Sequence, residues 1–171
     1  MKTLVISSSL AKSSRSFILC SYVCEKLKNN NIDVELVDAR NMSLVPCHRD
    51  ITPDMKELTK KIQKADNYVI GMGVHNYSIN DALKIILDAC FEDTEGKFFG
   101  ILCSGGGQKS YLSTMHLTQM CMNEWSMIQL PRVVYAVSSD IKEGKIINEH
   151  IHERIDLFCK EFTEIGEKLL K

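Results

Sequence analysis

Hydrophobic residues recur along this chain in two alternating patterns. Short apolar runs of strand length are each followed by a longer stretch with helical spacing. The reading gives strands at Thr3–Ser7, Asp33–Asp38, Asn67–Met72, Phe98–Cys103 and Val133–Val137. The first helix runs from about Ser14 to Asn29, with Phe17, Cys20, Cys24 and Leu27 along one stripe. The tract Asn29-Asn30-Asn31 ends it. Thr52-Pro53-Asp54 opens the second, a cap residue followed by proline at the first helical position. Ser78-Ile79-Asn80-Asp81 has the spacing of a capping box, which would start a third helix over Asp81–Phe91. A fourth spans Ser110–Trp125, and a fifth carries Ile151, Ile155, Phe158, Phe162, Ile165 and Leu169 to the end of the chain. Strands separated by helices predict a parallel sheet covered on both faces. Five such units with right-handed crossovers predict a flavodoxin-like α/β domain of strand order 2-1-3-4-5, occupying residues 1–171 as one unit.

In such a sheet, ligands bind beyond the carboxyl ends of the strands, where the strand order reverses. Three loops of unusual composition emerge there. The first, Ser8 to Ser16, is crowded with serines and carries Arg15. Hydroxyls, free backbone N–H groups and the positive end of the following helix suit a phosphate, and a guanidinium can pair with its oxygens. Alternatively, Ser13 or Ser14 is a plain helix cap. The second loop is Gly73-Val74-His75-Asn76-Tyr77, and the third is Ser104-Gly105-Gly106-Gly107. The first loop lacks GxGxxG and GxxxxGK[ST], which disfavours a tightly held dinucleotide or a nucleoside triphosphate. A single terminal phosphate fits better.

These residues resemble the NAD(P)H-dependent FMN reductases over about residues 1–140. Ser8-Ser9-Leu10-Ala11-Lys12-Ser13-Ser14-Arg15-Ser16 is similar to that family's phosphate loop, commonly Gly-Ser-x-Arg-x-x-Ser-x-Ser. Val74 to Lys84, with Asp88, resembles its Pro-x-Tyr…Leu-Lys-x-x-x-Asp signature. Ser104 to Gly107 resembles its Gly-Gly turn. The chain departs from the pattern at Ser8 for glycine, Ala11 for arginine, Gly73 for proline and His75 for tyrosine. Arg15 is therefore the loop's cation.

The resemblance implies an FMN-dependent oxidoreductase using NAD(P)H as co-substrate and a flavin, quinone or other small acceptor. Ser8, Ser9, Ser14, Arg15 and Ser16 would hold the FMN phosphate. Val74, His75, Asn76 and Tyr77 would line the flavin's pyrimidine edge, with backbone donors. Ser104, Gly105, Gly106 and Gly107 would let backbone approach the ring. Asn76 also reads as a left-handed turn residue, and Tyr77 as either a stacking ring or a surface side chain. His75 reads as a proton donor to the acceptor or as a plain turn histidine. The chain need not supply a catalytic acid or nucleophile, because the flavin would carry the chemistry, and no residue is assigned as catalytic. Two other classes fit the same fold: a flavodoxin-type electron carrier, and a binding protein for another phosphorylated ligand.

Composition narrows the partners. Net charge is −1 and no basic stripe is present, which argues against nucleic acid. It also argues against a carrier that steers toward basic partners by strong acidity. No apolar run approaches the ~18 residues of a membrane span. The start of the chain reads as a strand rather than a signal segment, so a cytoplasmic location is expected. The seven cysteines include no CxxC pair. Together with the five histidines they offer no metal-ligand spacing, so they read as small hydrophobes in a reducing compartment, with Cys47 off the apolar faces. The third and fourth helices are rich in Ile, Leu, Met and Cys, which fits core packing or a homodimer (or dimer of dimers) interface.

Overall fold

A computed structural model describes all residues, 1–171. The chain runs β1 (Lys2–Ser7), α1 (Arg15–Asn29), β2 (Asp33–Asp38), α2 (Pro53–Lys64), β3 (Asn67–His75), β4 (Ser78–Ile79) and α3 (Asp81–Cys90). It continues through β5 (Phe98–Ser104), α4 (Thr114–Glu124), β6 (Ile128–Gln129), β7 (Val134–Ala136), β8 (Ile141–Lys142), β9 (Lys145–Ile146) and α5 (Glu149–Leu169). The main sheet is ordered β2-β1-β3-β5, and β6 and β7 both pair parallel with β5 at the far side. This is the flavodoxin-like 2-1-3-4-5 arrangement, with its fifth place filled by two short strands. Pro131 lies between them and has no N–H to give a ladder.

Alternation along the strands divides the core in two. Leu4, Ile6, Tyr68, Ile70, Phe99 and Ile101 pack under α2, α3 and α4. Val5, Val69, Phe98 and Leu102 pack under α1 and α5. Two glycines set how closely the second layer sits. A Cβ on Gly71 would lie 2.1 Å from Cys20 Sγ, and one on Gly100 would lie 2.5 Å from Phe158 Cζ. Phe158 and Phe162 stack with their planes 10° apart, so Gly100 is the flat floor under an aromatic pair.

Two sequence expectations are corrected. Ser78-Ile79 is not a capping box but β4, which pairs back on Val74 and His75. The cap of α3 is Asn80. The fourth helix begins as a 3-10 turn over Gln108–Ser113, and regular α geometry starts only at Thr114. The polar stretch around Gly144 is a hairpin, with Glu143 and Gly144 both at positive φ. Six cysteines are buried and Cys47 is exposed, as expected, and all seven are free. Burial pushes the thiols of Cys103, Cys121 and Cys159 up to about 12, so they stay protonated and unreactive at neutral pH. No helix is long and apolar enough to cross a membrane.

Replacing Gly100 with alanine is expected to cost about 1–3 kcal/mol by overpacking against Phe158. Urea unfolding of Gly100→Ala checks this. The Gly100→Ala/Phe158→Leu double variant should recover part of the loss.

Candidate functional site

The parallel register brings the three loops to one edge. Ser7 at the end of β1 pairs with Gly71, and Gly73 pairs with Ser104 at the end of β5. A buried polar latch then joins the first two loops. Ser8 N donates to Gly71 O at 3.0 Å. Ser8 Oγ lies 2.7 Å from Gly71 O and 2.9 Å from Asn80 Oδ1, sharing its one proton between them. Asn80 Nδ2 donates to Ser8 O at 2.9 Å, and Gly73 N donates to Asn80 Oδ1 at 3.3 Å. The amide of Asn80 is thereby spent on the loops and makes no cap bond to its own helix. Ser8 has no proton left for a ligand and acts as a fastener of the loop.

Beyond Ser8 the loop is open to an anion. The backbone N–H groups of Lys12, Ser13, Ser14, Arg15 and Ser16 have no acceptor within the chain. Ser14 caps α1 by accepting from Phe17 N at 3.0 Å, which settles one reading of that serine. Its hydroxyl also pairs with that of Ser16 at 3.0 Å. Only one of their two protons is used in that pair, which leaves one to donate outward. Ser9 Oγ accepts from Ala11 N and keeps its own proton free. Arg15 makes no hydrogen bond or ion pair, and its Nε is buried without a partner. A buried guanidinium nitrogen with no acceptor is costly unless a ligand supplies one. Free N–H groups, spare hydroxyl protons and this orphaned cation fit a phosphate.

The second loop is a two-residue hairpin. Val74 pairs with Ile79 and His75 with Ser78, leaving Asn76 and Tyr77 as the turn. Both have positive φ, 47° and 62°. Asparagine tolerates this, as its left-handed reading expected, whereas tyrosine holds it only where the surroundings impose it. Tyr77 is 48% exposed, and its place in the two-residue turn imposes its positive φ. His75 Nδ1 lies 3.7 Å from Asp81 Oδ1. Ser78 Oγ lies 2.9 Å from His116 Nδ1, which ties the hairpin to α4. His116 carries no sequence signal that would have marked it.

In the third loop Ser104 is buried in the ladder. Gly105 N donates to Ala136 O at 3.0 Å, and a Cβ on Gly105 would meet Tyr135 Oη at 2.1 Å. Tyr135 Oη donates to Gly107 O at 2.7 Å, and Ser138 Oγ to Gly106 O at 3.0 Å. Gly106 and Gly107 face open space and neither has positive φ. Nothing in the chain requires glycine at those two positions, which leaves a flat, side-chain-free wall for a planar ligand. A concavity of about 860 Å³ lies next door between α3 and α4. It shares Ser78 with the hairpin but includes no residue of the serine loop.

A family model described as NADPH-dependent FMN reductase matches residues 1–142. The chain belongs to this family. It is 26% identical to an FMN reductase (NADPH) of Escherichia coli (strain K12), with 88% of this chain and 78% of that one covered. It is 24% identical to an NAD(P)H-dependent FAD/FMN reductase of Geobacillus thermodenitrificans (strain NG80-2), over 91% and 88% of the two chains. Among solved structures it resembles FerB, a flavoenzyme NAD(P)H:(acceptor) oxidoreductase from Paracoccus denitrificans. The TM-score there is 0.79 at 18% identity, with 98% of each chain covered. The flavodoxin-like fold, FMN as cofactor and NAD(P)H as reductant therefore stand as the sequence motifs implied.

Asn80→Ala is expected to remove about 1–3 kcal/mol of stability, because it leaves the carbonyl of Ser8 and the N–H of Gly73 unpaired. It should also weaken FMN binding by separating the two loops. Denaturant unfolding and flavin titration of the same variant measure both effects.

Proposed function

We propose that this FMN reductase family member uses its serine loop to hold the FMN phosphate and presents the flavin ring between the hairpin and the glycine turn. The observation that carries the reading is Arg15. It stands at the first turn of α1 with a buried, unpartnered Nε, beside consecutive free N–H groups. Ser9 adds a hydroxyl donor, the Ser14–Ser16 pair adds one more, and the start of α1 adds a positive dipole end. Asn76 and Tyr77 form one wall of the ring site and Gly105 to Gly107 the other, with Val74 and His75 fixing the hairpin. Bound FMN supplies the redox chemistry, taking hydride from a nicotinamide and passing reducing equivalents on. The chain's own part is to grip the phosphate, fix the ring's tilt and leave one face accessible.

The acceptor is a free flavin, a quinone or another small molecule that docks on that open face. The protein works in a reducing cytoplasm, in keeping with its free cysteines. It forms a homodimer through α3 and α4. Leu112, Met115 and Met122, in and just before α4, are each about half-exposed, and α3 and α4 also border the 860 Å³ groove, which Phe91, Met120 and Trp125 help to line. An apolar surface of this kind on a folded domain marks an interaction site.

Arg15→Ala is expected to weaken FMN binding by about tenfold to a hundredfold, the worth of a charge-assisted hydrogen bond, while riboflavin binding changes little. Fluorescence titration with both flavins checks it. Equal losses for the two would overturn the phosphate assignment. Sedimentation velocity should show a dimer in the wild type and a monomer in Met122→Lys.

A further inference from the structure

The serine loop is held in shape by a residue from a different part of the chain. Arg40 follows β2 in a 3-10 turn, Ala39–Asn41, and none of the three loops contains it. Its guanidinium is committed on three sides. Nε lies 2.9 Å from both carboxylate oxygens of Asp38, and Nη2 donates to Asp38 Oδ2 at 2.6 Å. Nη1 donates to Lys12 O at 3.2 Å. The flat face sits over the Phe17 ring, with Cζ 4.0 Å from its centroid. Phe17 belongs to the first turn of α1, so Arg40 touches both the middle of the loop and the helix that ends it.

The consequence follows from peptide geometry. A trans peptide points its C=O and the next N–H in opposite directions. Holding Lys12 O toward Arg40 therefore aims Ser13 N–H away from it. Between Leu10 and Ser13, the only other restraint on the loop is the 3.3 Å bond from Ala11 N to Ser9 Oγ. Without Arg40 this segment would have to order itself when ligand binds, and that ordering would subtract from affinity. Arg40 is poorly placed to be a phosphate ligand itself. A phosphate at its fork would displace the Asp38 carboxylate and lie beside that negative charge.

We propose that Arg40, fastened by Asp38, is a positioning residue that pre-shapes the serine loop for a phosphate monoester. This rests on the reading of that loop as the FMN phosphate site. Phosphate recognition would then depend on a Phe17–Arg40–Asp38 cluster contributed by α1, β2 and the 3-10 turn, and not only on the loop's own residues.

The experiment titrates the purified chain and its variants with FMN and with riboflavin, following flavin fluorescence, alongside thermal melts. Wild type should prefer FMN. Arg40→Gln should weaken FMN by about tenfold, the scale of one hydrogen bond from a charged group, and leave riboflavin little changed. Arg40→Lys should recover little, because an ammonium has neither the fork nor the plane. Asp38→Asn should weaken FMN in the same direction and provides an independent reading if Arg40→Gln fails to fold. Equal losses for both flavins would mean general structural support and overturn the proposal. Full recovery in Arg40→Lys would mean that charge alone matters, and tighter FMN binding in Asp38→Asn would mean that a released Arg40 is a direct ligand. Either result overturns it. A wild type that binds riboflavin as well as FMN would instead remove the phosphate reading on which the proposal stands.

Discussion

The site depends on one side-chain amide. Asn80 reaches back from the cap of α3 to bond Ser8 and the N–H of Gly73, and so joins loops that follow different strands. Parallel strands alone set the ends of β1 and β3 side by side, but they do not set the angle at which their loops leave the sheet. A buried network with every member satisfied does that, because any other arrangement strands a polar group away from water. The cost falls on α3, which begins without a side-chain cap bond. A helix whose apolar face is fully buried against the sheet can bear that loss, which is about 1 kcal/mol for a missing cap.

The fold was legible because its signals are redundant. Each strand is an apolar run, each helix repeats its stripe several times, and the crossover rule leaves few topologies. What was missed is local and has a common cause. Ser78-Ile79-Asn80-Asp81 has the letters of a capping box, yet the chain pairs Ser78 and Ile79 with β3, because Asn76-Tyr77 supplies a two-residue turn first. Competition between a cap and a hairpin is decided by long-range pairing, which no window of four residues contains. The expected fifth strand, Val133–Val137, is β7, and the short β6 before it is cut off from it by Pro131.

The site was legible in composition and less so in division of labour. Serine, arginine and glycine at three strand ends mark the one edge of the sheet where the proposed site lies. Which serines remain free to bind could not be read from the order of residues. Ser8 and Ser14 differ only in what folding places beside them. Ser8 meets Gly71 and Asn80 and is consumed, while Ser14 meets Ser16 and Phe17 N and retains a share in a spare proton. Likewise the three glycines look alike in sequence. Only Gly105 is small because a neighbouring ring, Tyr135, occupies the space of its Cβ.

Openness on one side also bears on what the protein exchanges electrons with. A carrier that docks with another protein benefits from a strong field that pre-orients the pair, and such fields come from charge asymmetry. This chain has a net charge of −1, and Lys84 and Asp88, on the helix that follows the hairpin, pair off locally. What the hairpin offers solvent is a half-exposed tyrosine held in a backbone conformation it would not choose alone. In the ring site proposed above, an aromatic side chain and a bare glycine wall would select flat molecules by shape at short range. Such a surface gains little from steering, and its specificity lies in what can stack there. That favours turnover of small planar molecules over docking of a redox protein, in line with the family to which the chain belongs.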